Sequence, residues 1–245
     1  LIIHLAAFSG VKEFNKNVLK SFNNNVLATK NLLRYGFENQ ITKLIFASSA
    51  AVYGKVSHEK VNERRYCAPV NFYGLSKYAC EKIIENYFSN KKNRYAILRY
   101  FNVVGSILGF NIDRKIKSLF DIIGDNIKKN NYKININGNN LNTKDGTPER
   151  DFIYIKDLCE IHKRVYSHLN ENKKIILNCG SGYRYSVLEI IKMFQKKINK
   201  KFKISYKITN SDETETICSN TNELRNSLKI DVKKNSIYNC VKCYL

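Results

Sequence analysis

Lys43-Leu44-Ile45-Phe46-Ala47-Ser48-Ser49 is the stretch on which the fold turns. Its apolar centre reads as a buried strand, and it ends in two hydroxyl residues. Outward from it, the same kind of segment recurs on both sides. Ile2 to Ala7 is a short apolar run ending in small residues. Between the two, Asn17 to Tyr35 carries apolar residues at helical spacing (Val18, Phe22, Val26, Leu32, Leu33), with Gly36 as a stop. Beyond Ser49, Tyr73 to Phe88 reads as a helix and Tyr95-Ala96-Ile97-Leu98-Arg99-Tyr100 as a further strand. Strand and helix in this alternation predict a parallel sheet with right-handed crossovers, an α/β doubly wound architecture. Chemistry in such sheets sits beyond the carboxyl ends of the strands, where Ser48-Ser49 and Phe101-Asn102 lie.

After Gly105 the alternation fades. A helix is expected from about Lys115 to Lys129, followed by a polar, Gly- and Asn-rich loop up to Pro148. Asp151 to Ile155 is strand-like and Lys156 to Leu169 helical. Ile175 to Gly182 reads as a strand entering a glycine turn, Ser186 N-caps a helix with Glu189 in its first turn, and Phe202 to Ile208 alternates as a strand. The expected division is a partial dinucleotide-binding domain over residues 1–104, joined by roughly 151–180, and a smaller mixed α/β substrate-binding domain over most of 105–245.

Bulk properties narrow the function. The 245 residues carry 43% hydrophobic residues and a formal charge of +21. Lysines are scattered among asparagines, as in Lys128-Lys129-Asn130-Asn131, with no nucleic-acid-reading motif beside them, so a solvated basic surface is the simpler reading and no nucleic-acid partner is expected. No apolar run reaches 18 residues, so no membrane span is expected. Seven cysteines at irregular spacing, with Cys240-x-x-Cys243 as the one close pair, read as reduced thiols in a cytoplasmic protein, with no metal.

The candidate chemistry centres on Tyr73-Gly74-Leu75-Ser76-Lys77. Residues i and i+4 share a helix face, and an ammonium held beside a phenol stabilises the phenolate, drawing its pKa from about 10 toward neutrality for general-base work. Y-x-x-x-K alone is a weak signal. It gains weight from Ser48-Ser49-Ala50-Ala51-Val52-Tyr53-Gly54 upstream and Leu98-Arg99-Tyr100-Phe101-Asn102-Val103-Val104-Gly105 downstream. In this order and spacing the three segments resemble the extended short-chain dehydrogenase/reductase family. Thr143-Lys144-Asp145-Gly146-Thr147-Pro148-Glu149-Arg150-Asp151-Phe152 further resembles a segment typical of UDP-glucose 4-epimerases within it.

The resemblance implies NAD as a bound cofactor and a UDP-hexose as substrate, epimerised at C4 through a 4-keto intermediate. It implies Tyr73 as the base, Lys77 on the nicotinamide ribose, and Ser49 on the reacting hydroxyl. Ala6, Ala7, Asn25, Ser48 and Phe101 match cofactor-lining positions. Asn102, Ser118, Leu119, Arg150 and Asp212 match substrate-contacting ones. Ala50 and Ala51 stand where related dehydratases carry a carboxylate, which argues against that reaction. A homodimer is implied for the full-length protein. The departures are Ser9 in place of a cofactor-side Lys, Ser118 in place of an Asn, and Asn210-Ser211-Asp212-Glu213 in place of Arg-x-Gly-Asp. No Gly-x-x-Gly-x-x-Gly turn occurs, so a pyrophosphate seat is missing and roughly 70 residues of the family pattern with it. This implies weak or no NAD binding by these residues alone and an exposed sheet edge. Two alternatives stand beside C4 epimerisation of UDP-glucose and UDP-galactose. One is a UDP-N-acetylhexosamine or other sugar-nucleotide epimerase, suggested by small residues near Ile217 and Cys218. The other is a truncated remnant with residual UDP-sugar binding.

Overall fold

A computed structural model describes residues 1–9, 14, 16–56, 59–89, 93–105, 117–171, 174–207 and 215–245. Its first layer is a four-stranded, all-parallel sheet of β1 (Ile2–His4), β2 (Lys43–Ser49), β3 (Arg94–Tyr100) and β7 (Lys174–Cys179), in that spatial order. The crossovers are α1 (Val18–Glu38) between β1 and β2, and α2 (Phe72–Tyr87) between β2 and β3. Successive residues of these strands face opposite sides of the sheet, and both sides are buried. Leu44, Phe46, Tyr95 and Ile97 pack with Leu33, Cys80 and Ile84 of α1 and α2. Ile45, Ala96 and Leu98 pack on the other face with Leu158, Ile161 and Val165 of α4 (Ile155–Glu171). Helices therefore cover both faces, as a doubly wound sheet requires, and the contiguous apolar runs follow from burial on both sides.

Helix α1 differs from expectation in two ways. It continues through Gly36 to Glu38. Its buried stripe is Ser21, Asn25, Thr29, Leu33 and Gly36, while Val18, Phe22, Val26 and Leu32 are only half-buried. Small polar residues let α1 approach α2 closely and bond across to it. Asn25 Nδ2 donates to Ser76 Oγ at 3.1 Å, and Thr29 Oγ1 to Cys80 Sγ at 3.3 Å. Gly36 meets Ile2 rather than ending the helix. Ile3 and Leu5, on and just after β1 at the edge of the sheet, are about half exposed.

The second layer contains β4 (Asn102–Val104), β6 (Glu149–Tyr154), β8 (Arg184–Ser186) and β10 (Thr216–Ile217), with β8 antiparallel to β6 and the other pairings parallel. A parallel pair, β5 (Lys133–Asn137) and β9 (Lys203–Lys207), stands beside it. Helices α3 (Leu119–Lys128), α5 (Val187–Ile198), α6 (Asn222–Leu228) and α7 (Ser236–Val241) complete the chain. Phe120, Ile134, Ile136, Phe152, Ile190 and Phe194 form the centre of this core. The segment expected to be a polar loop before Pro148 contains β5: Ile134 and Ile136 point inward while Lys133, Asn135 and Asn137 are exposed, a period of two hidden by the asparagine content. Ser186 caps α5 as expected, in a capping box with Glu189 (3.0 and 2.9 Å). Cys240 is buried in this core and Cys243 touches Tyr154, and none of the seven cysteines is paired in a disulfide. No helix among the described residues is long and apolar enough to cross a membrane.

Candidate active site

The sheet register assembles the site. Ser49 is opposite Tyr100 and Tyr100 is opposite Cys179, so the carboxyl ends of β2, β3 and β7 lie side by side. Phe101 N continues the ladder by donating to Cys179 O at 3.0 Å. Helix α2 leans over these ends. Asn71 caps it by accepting from Gly74 N at 2.8 Å. A β-carbon on Gly74 would sit 2.5 Å from Ala51 O, so glycine after Tyr73 is what lets the helix start reach the turn after β2.

In consequence the Tyr73 hydroxyl comes close enough to the Ser49 side chain for Ser49 to draw the phenol's pKa down. Ser49 Oγ also accepts from Ala51 N at 3.2 Å, which holds the serine in place. The Tyr73 ring meets fully buried Phe14 edge-on, with centroids 6.0 Å apart. Burial lifts the Tyr73 phenol above its ordinary value, and the neighbouring Ser49 hydroxyl opposes that only in part. Lys77 does not lower it here, contrary to expectation. Its Nζ donates to Ala47 O at 2.7 Å and lies 4.9 Å from the centre of the Phe46 ring, directed at β2. Burial instead pulls the Lys77 amine down to about 8, and the Cys80 and Glu81 charges oppose that pull.

The remaining candidates divide. Asn25 spends both halves of its amide on protein: Oδ1 accepts from Phe8 N at 2.7 Å, and Nδ2 donates to Phe8 O and Ser76 Oγ. It clamps the segment after β1, containing Ala6 and Ala7, against α2. Ser48 is buried and its hydroxyl donates to Glu81 Oε1, so it faces the protein interior rather than the crevice. Phe101 is buried among Val52, Tyr53 and Val61. Asp212, with the rest of Asn210 to Glu213, lies outside the described residues.

Asn102, Ser118, Leu119 and Arg150 come together. They line one cleft of about 600 Å³ that begins at β4, one residue after Phe101. Ser118 is at the same time the N-cap of α3, where its hydroxyl accepts from Asp121 N at 3.2 Å. Arg150 Nη1 is braced on Glu149 O and Glu215 O, at 2.9 and 3.2 Å. The Asp145-Gly146-Thr147 insertion is a brace as well. Asp145 accepts from Thr147 N and Thr147 Oγ1 (3.1 and 2.6 Å) and from Ser186 Oγ, tying the loop that carries Arg150 to the start of α5. Burial lifts the Asp145 carboxyl, but those hydrogen bonds overcome it and hold the group below its ordinary range. Sequence reading missed Asn135 and Asn137, which line the same cleft. The alternation Ile134-Asn135-Ile136-Asn137 is the signal that marks them. Ile217 and Cys218 do not stand where expected. Cys218 is buried against Asp151, its Sγ 3.9 Å from Oδ2, and Ile217 packs beside the Tyr53 cluster, so neither is among the residues lining the cleft.

A Tyr–Ser–Lys set at the carboxyl ends of a parallel sheet, next to an Arg-bearing cleft, is the arrangement expected of an enzyme of the extended short-chain type. Residues 1–180 match the profile of the NAD dependent epimerase/dehydratase family, and the chain belongs to that family. Its relatives are more particular. A UDP-glucose 4-epimerase of Rhizobium meliloti (strain 1021) is 30% identical over 93% of this chain and 70% of its own length. One from Mycoplasma genitalium is 35% identical over 80% of this chain and 60% of its own. Among solved structures, the Bifidobacterium longum UDP-glucose 4-epimerase in complex with NAD+ and UDP has a TM-score of 0.90 at 26% identity, covering 99% of this chain and 74% of that one. The Campylobacter jejuni UDP-Glc/GlcNAc 4-epimerase has a TM-score of 0.83 at 30% identity, with 99% and 75% covered. The chain thus spans between about three fifths and three quarters of these relatives.

Proposed function

We propose that these residues form the catalytic and substrate-binding part of a UDP-hexose 4-epimerase interconverting UDP-glucose and UDP-galactose. The observation that carries the reading is the placing of Tyr73 beside Ser49 at the mouth of a sheet that continues, through Phe101, into the Asn102–Arg150 cleft. NAD, when bound, supplies the reversible hydride acceptor. The residues here suit its ribose: Ala47 O takes one of the three N–H bonds of Lys77, and a buried amine with further donors favours an acceptor pair such as a diol.

Tyr73 takes the proton of the sugar 4-hydroxyl as C4 becomes a carbonyl, and returns it when the opposite configuration forms. Ser49 orients that hydroxyl. Arg150, braced on two carbonyls, lines the cleft with a guanidinium whose geometry matches diphosphate oxygens. Asn102, Asn135 and Asn137 supply neutral donors and acceptors for the uridine and sugar. Ala50 and Ala51 offer no acid to expel a hydroxyl, which favours epimerisation over dehydration. The division into a cofactor domain (1–104 with 151–180) and a substrate domain (most of 105–245) is part of the same proposal, as are a homodimer for the full-length protein and a cytoplasmic setting. Full-length protein incubated with NAD and UDP-galactose should yield UDP-glucose. Tyr73→Phe should lower kcat by about 10²–10⁴-fold while UDP binding persists. Full activity in Tyr73→Phe would sink the mechanism.

A further inference from the structure

Below the Tyr73–Lys77 turn, the same face of α2 carries a third polar residue, Glu81, which is fully buried. Its carboxylate is bound on both oxygens. Oε1 accepts from Ser48 Oγ and from Arg99 Nε (3.1 Å), and Oε2 accepts from Arg99 Nη2 at 2.7 Å. Arg99 is itself 3% exposed and has its other nitrogen on Tyr53 OH and Glu63 O, both at 3.0 Å. Tyr53 OH donates to Asn178 Oδ1 at 2.6 Å. The chain of contacts therefore runs from α2 through the end of β2 and the middle of the sheet to β7. Ser48 is the residue immediately before Ser49, and Lys77 is one helical turn before Glu81.

A buried ion pair gains little stability over apolar residues of the same volume, so its presence beneath a reactive site calls for another reason. We propose that Glu81 is a positioning residue for the epimerase chemistry: it locks the strand end bearing Ser49 to the helix bearing Tyr73, and it is the counter-charge that keeps Lys77 an ammonium inside the protein. The groups around Lys77 are few. On its own helix are Tyr73, Cys80 and Glu81. From β1 comes His4, whose pKa is lowered by burial and by the Lys77 charge. From β2 come the Ala47 carbonyl and the Phe46 ring, and from α1 the neutral Asn25 and Thr29. Arg99 of β3 reaches the cluster through Glu81. Among these, Glu81 is the carboxylate.

The role rests on the epimerase reading for its kinetic part only; the charge on Lys77 is measurable without turnover. In full-length protein with isotope-labelled lysine, the Lys77 amine resonance, assigned by its loss in Lys77→Arg, is titrated in the parent, in Glu81→Gln and in the double variant Glu81→Met with Arg99→Met. Glu81→Gln should lower the Lys77 pKa by about one unit, and the double variant, which loses a more distant cation as well, by less. In the same Glu81→Gln protein kcat should fall about tenfold or more, with KM for UDP-galactose within about twofold, and the kcat–pH profile should move with Lys77. An unmoved Lys77 in either folded variant overturns the proposal. So does loss of the fold in both, because Glu81 would then be structural only. A Lys77 shift in a parent without epimerase activity would refute the proposed reaction and leave the Glu81–Lys77 coupling standing.

Discussion

Two carboxylates, Glu81 and Asp151, are both fully buried, and they are satisfied in opposite ways. Glu81 meets a guanidinium. Asp151 meets neutral donors: Ser181 N and Oγ (both 2.7 Å), Gly182 N (3.0 Å), Ser219 N (3.0 Å) and Ser219 Oγ (2.5 Å). The first network holds a charge beneath the reactive turn. The second holds topology, since its donors come from the turn after β7 and from the segment after β10, and it fastens both to the strand of Arg150. A β-carbon on Gly180 would lie 2.4 Å from Ser219 Oγ and 2.5 Å from Asp151 Oδ2, so the turn can enter that network only as glycine. Alternation along β6 then turns Asp151 inward and leaves its neighbour Arg150 facing the cleft.

If this contrast holds, damage to the two regions should separate by readout. Asp151→Asn leaves one acceptor oxygen for five donors and turns an NH₂ toward some of them. The expected loss is about 3 kcal/mol of stability in chemical denaturation, with the Lys77 titration unmoved. A smaller loss would make the network less of a fastener than its geometry implies.

Lys77→Met tests the other region through pH. The folded amine titrates at about 8 and the unfolded one at 10.5. The folded pKa is depressed, so between those values the unfolded chain holds the extra proton and stability rises with pH. Parent stability relative to Lys77→Met should therefore rise by up to about 3 kcal/mol from pH 8 to 10.5 and be lowest below 8. A flat difference would mean that Lys77 is not buried as an ammonium.

Arg150→Ala should weaken UDP binding by about 1.5–3 kcal/mol, roughly ten- to 150-fold in Kd by calorimetry, and leave stability nearly unchanged. Ser186→Ala should cost about 1 kcal/mol, by removing the α5 cap and one partner of Asp145, and affect UDP binding only through the Asp145 loop.

Much of the fold was readable. The runs Lys43–Ser49 and Tyr95–Tyr100 are continuous apolar stretches because both faces of a parallel sheet are covered, and that pattern leaves little ambiguity. Helix α1 was misread in its facing because its inner stripe includes Ser21, Asn25 and Thr29, and the last two bond to residues of α2 51 positions away. Strand β5 was hidden by composition: asparagine at alternate positions reads as loop until the isoleucines between them are given a core. Tyr73, Ser49, Lys77 and Arg150 were legible as motif residues. Ser48 was misread because its donor role toward Glu81 depends on how α2 docks. Glu81 was overlooked although it stands at i+4 from Lys77.

What the sequence alone determined is the strand–helix alternation of the parallel sheet, a helix beginning near Tyr73, and Tyr73 as the candidate base, since local periodicity and side-chain chemistry are written within a few residues. Only the tertiary structure decided the state of that base. The Tyr73 phenol is raised by burial, and the Lys77 ammonium turns to Ala47 and has Glu81 one turn below it on the same face. Charge and pKa are set by which distant segments bring desolvation and counter-charge to a group, and no spacing along the chain encodes that.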